Sequence, residues 1–314
     1  MKKTVVIALG GNSFISDQTH QSVPDQYRAA ERVCAHIVPL LRDPDLRLVL
    51  THGNGPQVGF ILRRSELAAL ELHQVPLDAC VADTQGALGY QLECALRNAL
   101  RRHGLARLPA AVVTLVLVDR DDPDFAHPTK PIGAFLSKER AEEHRQKDGW
   151  EVMEDAGRGW RRVVASPAPK AILDLEAVRT LLDAGFVVVA GGGGGVAVVE
   201  DESGEISGAS AVVDKDLASS FLARELGAEV LVFATGVEKV YLDYGKPEQR
   251  ALDAMTVAEA KRYLAEDHFK TGSMLPKVQA IIEFLEAGGR QAIITDPEHI
   301  EAAIEGRGGT RVTP

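Results

Sequence analysis

The sequence predicts an α/β protein built around a mainly parallel sheet. Residues 5–9 are apolar at every position, which is typical of a central strand that is buried on both faces. Short segments of this kind alternate with longer stretches of helical periodicity, and the alternation favours strand–helix units. The chain has 314 residues, of which 45% are hydrophobic. It can therefore bury a large core, in one domain or in two closely joined domains.

Charge and cysteine content narrow the classes of function. The chain carries 45 acidic and 35 basic side chains and a formal net charge of -10. Because no basic run is present to neutralise a phosphate backbone, a nucleic-acid partner is excluded, whereas a nucleotide needs only a few local cations. The three cysteines lack metal-ligand spacing and predict a reduced, cytoplasmic protein. No apolar run is long enough for a membrane span or a signal peptide, so we expect no membrane partner.

The first predicted strand ends in Gly10, Gly11 and Asn12. Glycine has no Cβ, so the backbone N–H groups of such a turn can approach an anion closely. The same three residues also fit an ordinary turn at the end of a strand. A helix with Asp25 as its cap is expected to follow and to reach Leu41.

A second glycine turn follows the second predicted strand, residues 46–51. It contains Gly53, Asn54 and Gly55, and the proline after them suits the first turn of a helix. In a parallel sheet the two turns lie at the same carboxyl edge, so we expect them to face one ligand site. His52 has no identifiable partner and is interpreted as part of the turn.

A helix over residues 83–102 and a strand over residues 111–118 come next, and then the alternation stops for about fifty residues. A connection of this length is typically a lid or a subdomain. Within it, Lys130 precedes a proline and could hold an ammonium group over the site, although most lysines are solvated surface groups. The acidic residues 119–124 match no calcium loop and predict a solvated turn.

The second half contains a helix over 174–184, a strand over 186–190 and then five consecutive glycines, residues 191–195. We expect the glycines of such a run to have no packing value, which means that they contribute nothing to the packing of the core. It makes sense where the backbone wraps closely around an anion such as a polyphosphate. The run matches neither the P-loop nor the dinucleotide-binding pattern.

Charged residues mark the starts of two further helices. Asp214, Lys215 and Asp216 open one of them, either as a simple cap or as a charge relay at a phosphate. Lys277 falls in the first turn of a helix over 278–287, where the helix dipole disfavours a cation unless an anion is bound. The remaining predictions are strands over 229–235, 291–295 and 310–312 and a helix over 255–264.

Taken together, these segments resemble the carbamate kinases of the amino acid kinase family. The resemblance runs nearly from end to end. The segments that carry it are Ala8-Leu9-Gly10-Gly11-Asn12, Thr51-His52-Gly53-Asn54-Gly55-Pro56-Gln57-Val58-Gly59, Pro128-Thr129-Lys130-Pro131-Ile132-Gly133, Glu154-Asp155-Ala156-Gly157-Arg158-Gly159-Trp160-Arg161, Val213-Asp214-Lys215-Asp216 and Gly272-Ser273-Met274-Leu275-Pro276-Lys277.

The resemblance implies an open three-layer αβα sandwich around a mainly parallel sheet, formed by a single kinase domain over residues 1–314. Residues 120–170 would form a small protruding subdomain, and the protein would be a homodimer. The implied reaction is reversible: ATP and carbamate give ADP and carbamoyl phosphate, with Mg²⁺ and without a metal ligand from the protein. Arginine fermentation would run it toward ATP.

The resemblance also implies roles for particular residues. Lys130, Lys215 and Lys277 would stabilise the transferred phosphoryl group, and Asp216 would organise the lysines. The carbamate and the phosphoryl group would be surrounded by Gly10, Gly11, Asn12, Gly53, Asn54 and Gly55. The residues expected at the nucleotide are Gly193, Gly194, Val237, Tyr244 and Met274.

Three positions depart from the family pattern, and two other functions stay open. Ser13 replaces the usual alanine, Ala197 the usual proline, and Gly191 a small residue, which bears on loop rigidity. A related kinase acting on acetylglutamate would need a guanidinium for the longer acid, and the insertion around Lys130 argues against it. A non-catalytic nucleotide-binding protein would not need Lys215 together with its charged partners.

Overall fold

The computed structural model describes residues 2–15, 17, 19–155, 159–269 and 274–314. In this part of the chain helices and strands alternate. The strands are β1 (Lys3–Leu9), β2 (Leu46–His52), β3 (Pro109–Ala111), β4 (Leu115–Val118), β5 (Lys130–Leu136), β6 (Val152–Glu154), β7 (Trp160–Val164), β8 (Pro169–Ile172), β9 (Val187–Val189), β10 (Val196–Glu200), β11 (Ile206–Gly208), β12 (Val230–Ala234), β13 (Val240–Leu242), β14 (Arg250–Leu252), β15 (Ala254–Thr256), β16 (Gln291–Thr295) and β17 (Thr310–Thr313). The helices are α1 (Val23–Ile37), α2 (Gly55–Leu67), α3 (Leu77–Arg102), α4 (Lys138–Asp148), α5 (Leu175–Asp183), α6 (Lys215–Glu225), α7 (Val257–Ala265), α8 (Met274–Glu286) and α9 (Ile300–Ile304).

The central sheet has eight strands in the order β15-β17-β16-β12-β1-β2-β9-β3. Strand β1 pairs in parallel with β2 on one side and with β12 on the other. Strands β16 and β17 form an antiparallel pair near one edge of the sheet. The sheet is therefore mainly parallel, and the carboxyl ends of β1, β2 and β12 lie side by side.

Alternate residues of β1 enter different hydrophobic cores. Val6 belongs to one cluster with residues of α5, α6 and α8, whereas Ile7 belongs to a second cluster with residues of α1, α3 and α9. Both residues are fully buried. Helices thus cover both faces of the sheet, and the predicted α/β fold class with a mainly parallel sheet is confirmed.

Among the described residues, three smaller sheets lie outside the central one. The first has the order β11-β10-β4-β8, the second has the order β5-β7-β6, and the third pairs β13 with β14. The second falls within residues 120–170, together with α4, and β5 makes contacts with α2. In the part of the chain that the structure describes, no helix is both long and apolar enough to span a membrane.

Several predicted boundaries were wrong, for identifiable local reasons. Helix α1 is capped by Ser22 and not by Asp25, which is the third helical residue and completes a capping box with Ser22. The predicted strand over 111–118 is two strands, because β3 pairs with β9 in the central sheet while β4 pairs with β10 and β8.

Two other elements also differ from the prediction. Helix α3 begins before residue 83, at Leu77. Residues 254–256 form β15 in front of α7, where only a helix was predicted. In both cases a neighbouring element decides the local structure, because β15 is stabilised by its pairing with β17 and Leu77 is buried.

Candidate active site

The two glycine turns contact each other at the carboxyl edge of the central sheet. The Gly53 amide donates to the Leu9 carbonyl oxygen at 2.9 Å, and the Gly10 amide donates to the Ala234 carbonyl oxygen at 2.9 Å. A Cβ atom added to Gly53 would lie 2.7 Å from the backbone nitrogen of Gly11. Only glycine fits this approach, so the two turns form one continuous wall. That this wall faces a ligand stays a prediction. The side chain of Asn12 lies outside what the structure describes.

Asn54 is held by the neighbouring helix and does not cap its own. Its side chain is buried, and its Nδ2 donates to the Thr84 hydroxyl of α3 at 2.7 Å. At the N-cap position of α2 it makes no capping hydrogen bond. The contact with Thr84 fixes the second glycine turn, and sequence reasoning did not identify it.

The glycine run packs tightly against protein groups. A Cβ at Gly193 would lie 2.1 Å from Nδ2 of Asn54, and one at Gly194 would lie 2.2 Å from the Val213 carbonyl oxygen. Both glycines have positive φ angles and are buried. The expectation that this run has no packing value was therefore wrong. The contact of Gly193 and Gly194 with a nucleotide stays a prediction.

His52 is a buried, neutral group at the end of β2. Burial lowers the pKa of its imidazole to about 4. Its Nδ1 lies 3.3 Å from the Gly53 carbonyl oxygen, which can only accept, so Nδ1 carries the proton. The interpretation of His52 as part of the turn agrees with this geometry.

A buried carboxylate organises two lysines beside the turns. Asp216, in the first turn of α6, is 4% exposed. Its Oδ1 accepts a hydrogen bond from Nζ of Lys215, and its Oδ2 accepts one from Nζ of Lys277 at 3.0 Å. Burial, and then the nearby Lys215 ammonium, lower the pKa of Lys277. One carboxylate thus aligns two ammonium groups that come from different helices, α6 and α8.

Lys215 also connects this cluster to the glycine turns. Its Cδ would lie 3.2 Å from a Cβ added at Gly53, so its stem passes directly over the second turn. Its Nζ lies 5.8 Å from the centre of the Phe233 ring. The ammonium groups and the two turns therefore belong to one site.

Lys130 reaches the same site from the inserted three-stranded sheet. Its Nζ forms an ion pair of 2.9 Å with Oδ2 of Asp214, the N-cap residue of α6. The other oxygen of Asp214 accepts from the Asp216 amide at 2.8 Å. Burial alone would raise the pKa of Asp214, but the Lys130 ammonium and the amide hydrogen bond hold that pKa at about 2. The cap predicted at Asp214 is present, and its partner Lys130 was not foreseen.

Three residues predicted at the nucleotide lie together, away from the glycine turns. Val237, Tyr244 and Met274 line one pocket of about 140 Å³ with Phe269. Residues 270–273 and 156–158, which carry parts of two of the quoted motifs, lie outside the described residues. Among the residues that are described, no group of three or more His, Cys, Asp or Glu side chains is placed to hold a metal ion.

Comparisons with known proteins agree with this architecture. A model of the amino acid kinase family matches residues 3–296. The chain is 50% identical to the carbamate kinase-like protein YahI of Escherichia coli strain K12, over 99% of each chain. It is 44% identical to a carbamate kinase of Thermococcus kodakarensis, again over 99% of each chain.

Solved structures show the same relationship. The carbamate kinase of Giardia lamblia bound to AMP-PNP matches with a TM-score of 0.91 and 37% identity, over 99% of this chain and 98% of that one. The chain therefore belongs to the amino acid kinase family, as the motifs predicted.

Proposed function

We propose that this protein is a carbamate kinase, which transfers a phosphoryl group reversibly between ATP and carbamate. The observation that carries the proposal is the lysine–aspartate cluster beside the two glycine turns. Three ammonium groups, from Lys130, Lys215 and Lys277, converge there on two carboxylates. An excess of positive charge at the edge of a parallel sheet suits a phosphoryl group and a small anionic acceptor.

The chemistry requires positioning and charge stabilisation more than a base. Phosphoryl transfer passes through a transition state whose charge is spread over the equatorial oxygens. The oxygen of carbamate is already anionic, so it can attack without losing a proton. His52 is buried and its Nδ1 faces a carbonyl oxygen. This geometry fits a reaction in which His52 transfers no proton.

We assign the transferred phosphoryl group to the space between the lysines and the turns. Lys215 and Lys277 would clamp its oxygens, with Asp216 as the positioning residue, and Lys130 would approach from the inserted subdomain. Gly10 and Gly53 use their amides within the wall. The amides of the other turn residues, Gly11, Asn12, Asn54 and Gly55, would therefore face the carbamate and the phosphoryl group.

The nucleotide would extend from this point to the pocket of Val237, Tyr244 and Met274, with Gly193 and Gly194 near its phosphates. Mg²⁺ bound with the nucleotide would neutralise phosphate charge. The carboxylates of Asp214 and Asp216 are already engaged by lysines, so the phosphate oxygens are the ligands that fit the ion. ATP and ADP are thus co-substrates, and the metal is carried by them.

The proposal also includes the cellular location, the oligomeric state and the direction of the reaction. We place the protein in the cytoplasm as a homodimer, with ATP formation in arginine fermentation as its direction. Sedimentation of the purified chain tests the dimer. A molecular mass near that of one 33.8 kDa chain would contradict it.

The decisive experiment follows ATP formation from ADP and carbamoyl phosphate. We expect turnover that requires Mg²⁺, and in the reverse assay we expect ADP release with carbamate but not with acetylglutamate. The Lys261→Ala variant, which changes an exposed lysine of α7, serves as a control and should keep full activity. Turnover with acetylglutamate but not with carbamate would indicate the related kinase instead. No turnover with either acid would favour a non-catalytic nucleotide-binding protein.

A further inference from the structure

A second cavity lies between α2 and the inserted three-stranded sheet. Its volume is about 240 Å³, and none of the predicted site residues lines it. Leu62 of α2 forms one wall, while Ile132 of β5 and Trp150 form others. The cavity is therefore separate from the phosphoryl-transfer site, and it is large enough for a small organic molecule.

The guanidinium of Arg162 points to the ligand of this cavity. It lies over the Trp150 ring, with its Cζ 4.9 Å from the ring centre, and burial lowers its pKa. No described residue accepts a hydrogen bond from it within the cavity. A partly buried guanidinium without an acceptor is costly, and its planar fork matches a carboxylate with two parallel hydrogen bonds.

The other charges of the cavity leave an excess of positive charge. Glu66 is engaged by Arg63, whose Nη1 lies 3.1 Å from Oε2 of the carboxylate. Arg140, at the start of α4, also lines the cavity and is exposed. Three guanidinium groups thus line the cavity with one carboxylate, Glu66, which acts on Arg162 as well as on Arg63, and Asp148 also acts on Arg162. This balance favours an anion over a cation or a neutral molecule.

The walls restrict the anion further. Leu62 and Ile132 are buried apolar side chains, and Trp150 adds an aromatic surface. An inorganic anion would leave these walls in contact with water, and a neutral apolar molecule would leave Arg162 without an acceptor. We propose that the cavity binds a small monocarboxylate with an apolar body, its carboxylate on Arg162 and its body between Leu62 and Ile132.

Such a ligand would connect the inserted subdomain to the kinase core. Its partners come from α2, β5 and β7, and β5 also carries Lys130. An occupied cavity would hold β5 against α2 and so restrain the position of Lys130. The binding site itself rests on the cavity and not on the proposed reaction, so the two can fail separately.

Benzoate is a suitable probe, because it combines one carboxylate with an aromatic body. We expect saturable heat of binding to the full chain by calorimetry, with quenching of tryptophan fluorescence. Benzyl alcohol and inorganic phosphate, which each lack one half of the chemistry, should not compete with benzoate for binding. Arg162→Gln should weaken benzoate binding at least about tenfold, the loss expected for hydrogen bonds to a charged group. The Arg179→Gln control on α5 should bind as the wild type does.

Folding of each variant is checked by its circular dichroism and melting temperature. If Arg162→Gln does not fold, Arg140→Gln becomes the deciding variant, because the Arg140 side chain is exposed. The affinity of Arg140→Gln for benzoate should be measurably lower than that of the wild type. In the wild type, benzoate should also slow amide hydrogen exchange in β5. Absence of saturable benzoate binding, equal affinity in the deciding variant, or protection confined to the lysine cluster would each overturn the proposal.

Discussion

The two sources of positive charge at the candidate site differ in how firmly they are held. Lys215 and Lys277 come from helices packed into the main core and share one carboxylate, whose side chain is 6% exposed. Lys130 comes from a three-stranded sheet outside that core. It makes one ion pair, in which the two side chains are 24% and 26% exposed.

This difference separates a preorganised part of the site from an adjustable part. Charges held by a buried carboxylate need no reorganisation when the substrate charge develops, and this is where electrostatic catalysis is most effective. A partly exposed ion pair between two substructures can break and reform at a small cost. We therefore expect the inserted three-stranded sheet to release Lys130 from Asp214 to a substrate without disturbing the cluster.

Replacement of Lys215 tests the preorganised part and should have the largest effect. Lys215→Ala is expected to lose at least ~2 kcal/mol of transition-state stabilisation, because it removes a positioned donor from a poorly solvated site. The measurement is kcat for ATP formation, with circular dichroism to verify folding. Near-normal turnover in the folded variant would remove Lys215 from the mechanism.

Lys130→Ala tests the adjustable part and should have a smaller effect on rate. We expect a loss of about tenfold in kcat/KM for carbamoyl phosphate, or about 1.4 kcal/mol, since a partly solvated charge is screened more strongly. Lys130→Arg keeps the charge and should recover part of the loss. If Lys130→Ala were more damaging than Lys215→Ala, the distinction between the two parts would be wrong.

The sequence predicted the preorganised part far better than the adjustable one. Lys215 and Asp216 are neighbours at a helix start, and the glycine turns follow recognisable strands, so local patterns predicted their positions. The roles of Lys215 and Asp216 rest on the family resemblance and stay predictions. The partner of Lys130 is 84 residues away, and no periodicity reports such a contact. For the same reason the glycine run was misread, because the Asn54 side chain that excludes a Cβ at Gly193 is distant in the chain.

The pH dependence of the free energy of unfolding tests the ion pair between Lys130 and Asp214. The pKa of Asp214 in the folded protein is about 2, below its usual value of 3.8. A carboxyl group whose pKa is lowered in the folded state stabilises the fold at pH values above its pKa in the unfolded chain. This stabilisation is lost as the pH falls from about 4 to about 2. The free energy of unfolding of Asp214→Asn should therefore be lower than that of the wild type at pH 6. The difference should shrink toward pH 2. A difference that does not change with pH would contradict the assigned pKa.

The smallest effect is expected at the C-terminal end of α4, inside the subdomain. Gly149 has a φ of 67° and nothing within 4 Å of an added Cβ, so Gly149→Ala costs only the left-handed strain of about 1–2 kcal/mol. Because α4 packs on β6 and β7 of the inserted sheet, this strain should raise amide exchange in α4 and leave kcat unchanged. Gly53→Ala is the matched contrast. Its Cβ would lie 2.7 Å from the backbone nitrogen of Gly11, so this variant should lower kcat. Equal loss of activity in both variants would show that the subdomain and the core respond as one unit.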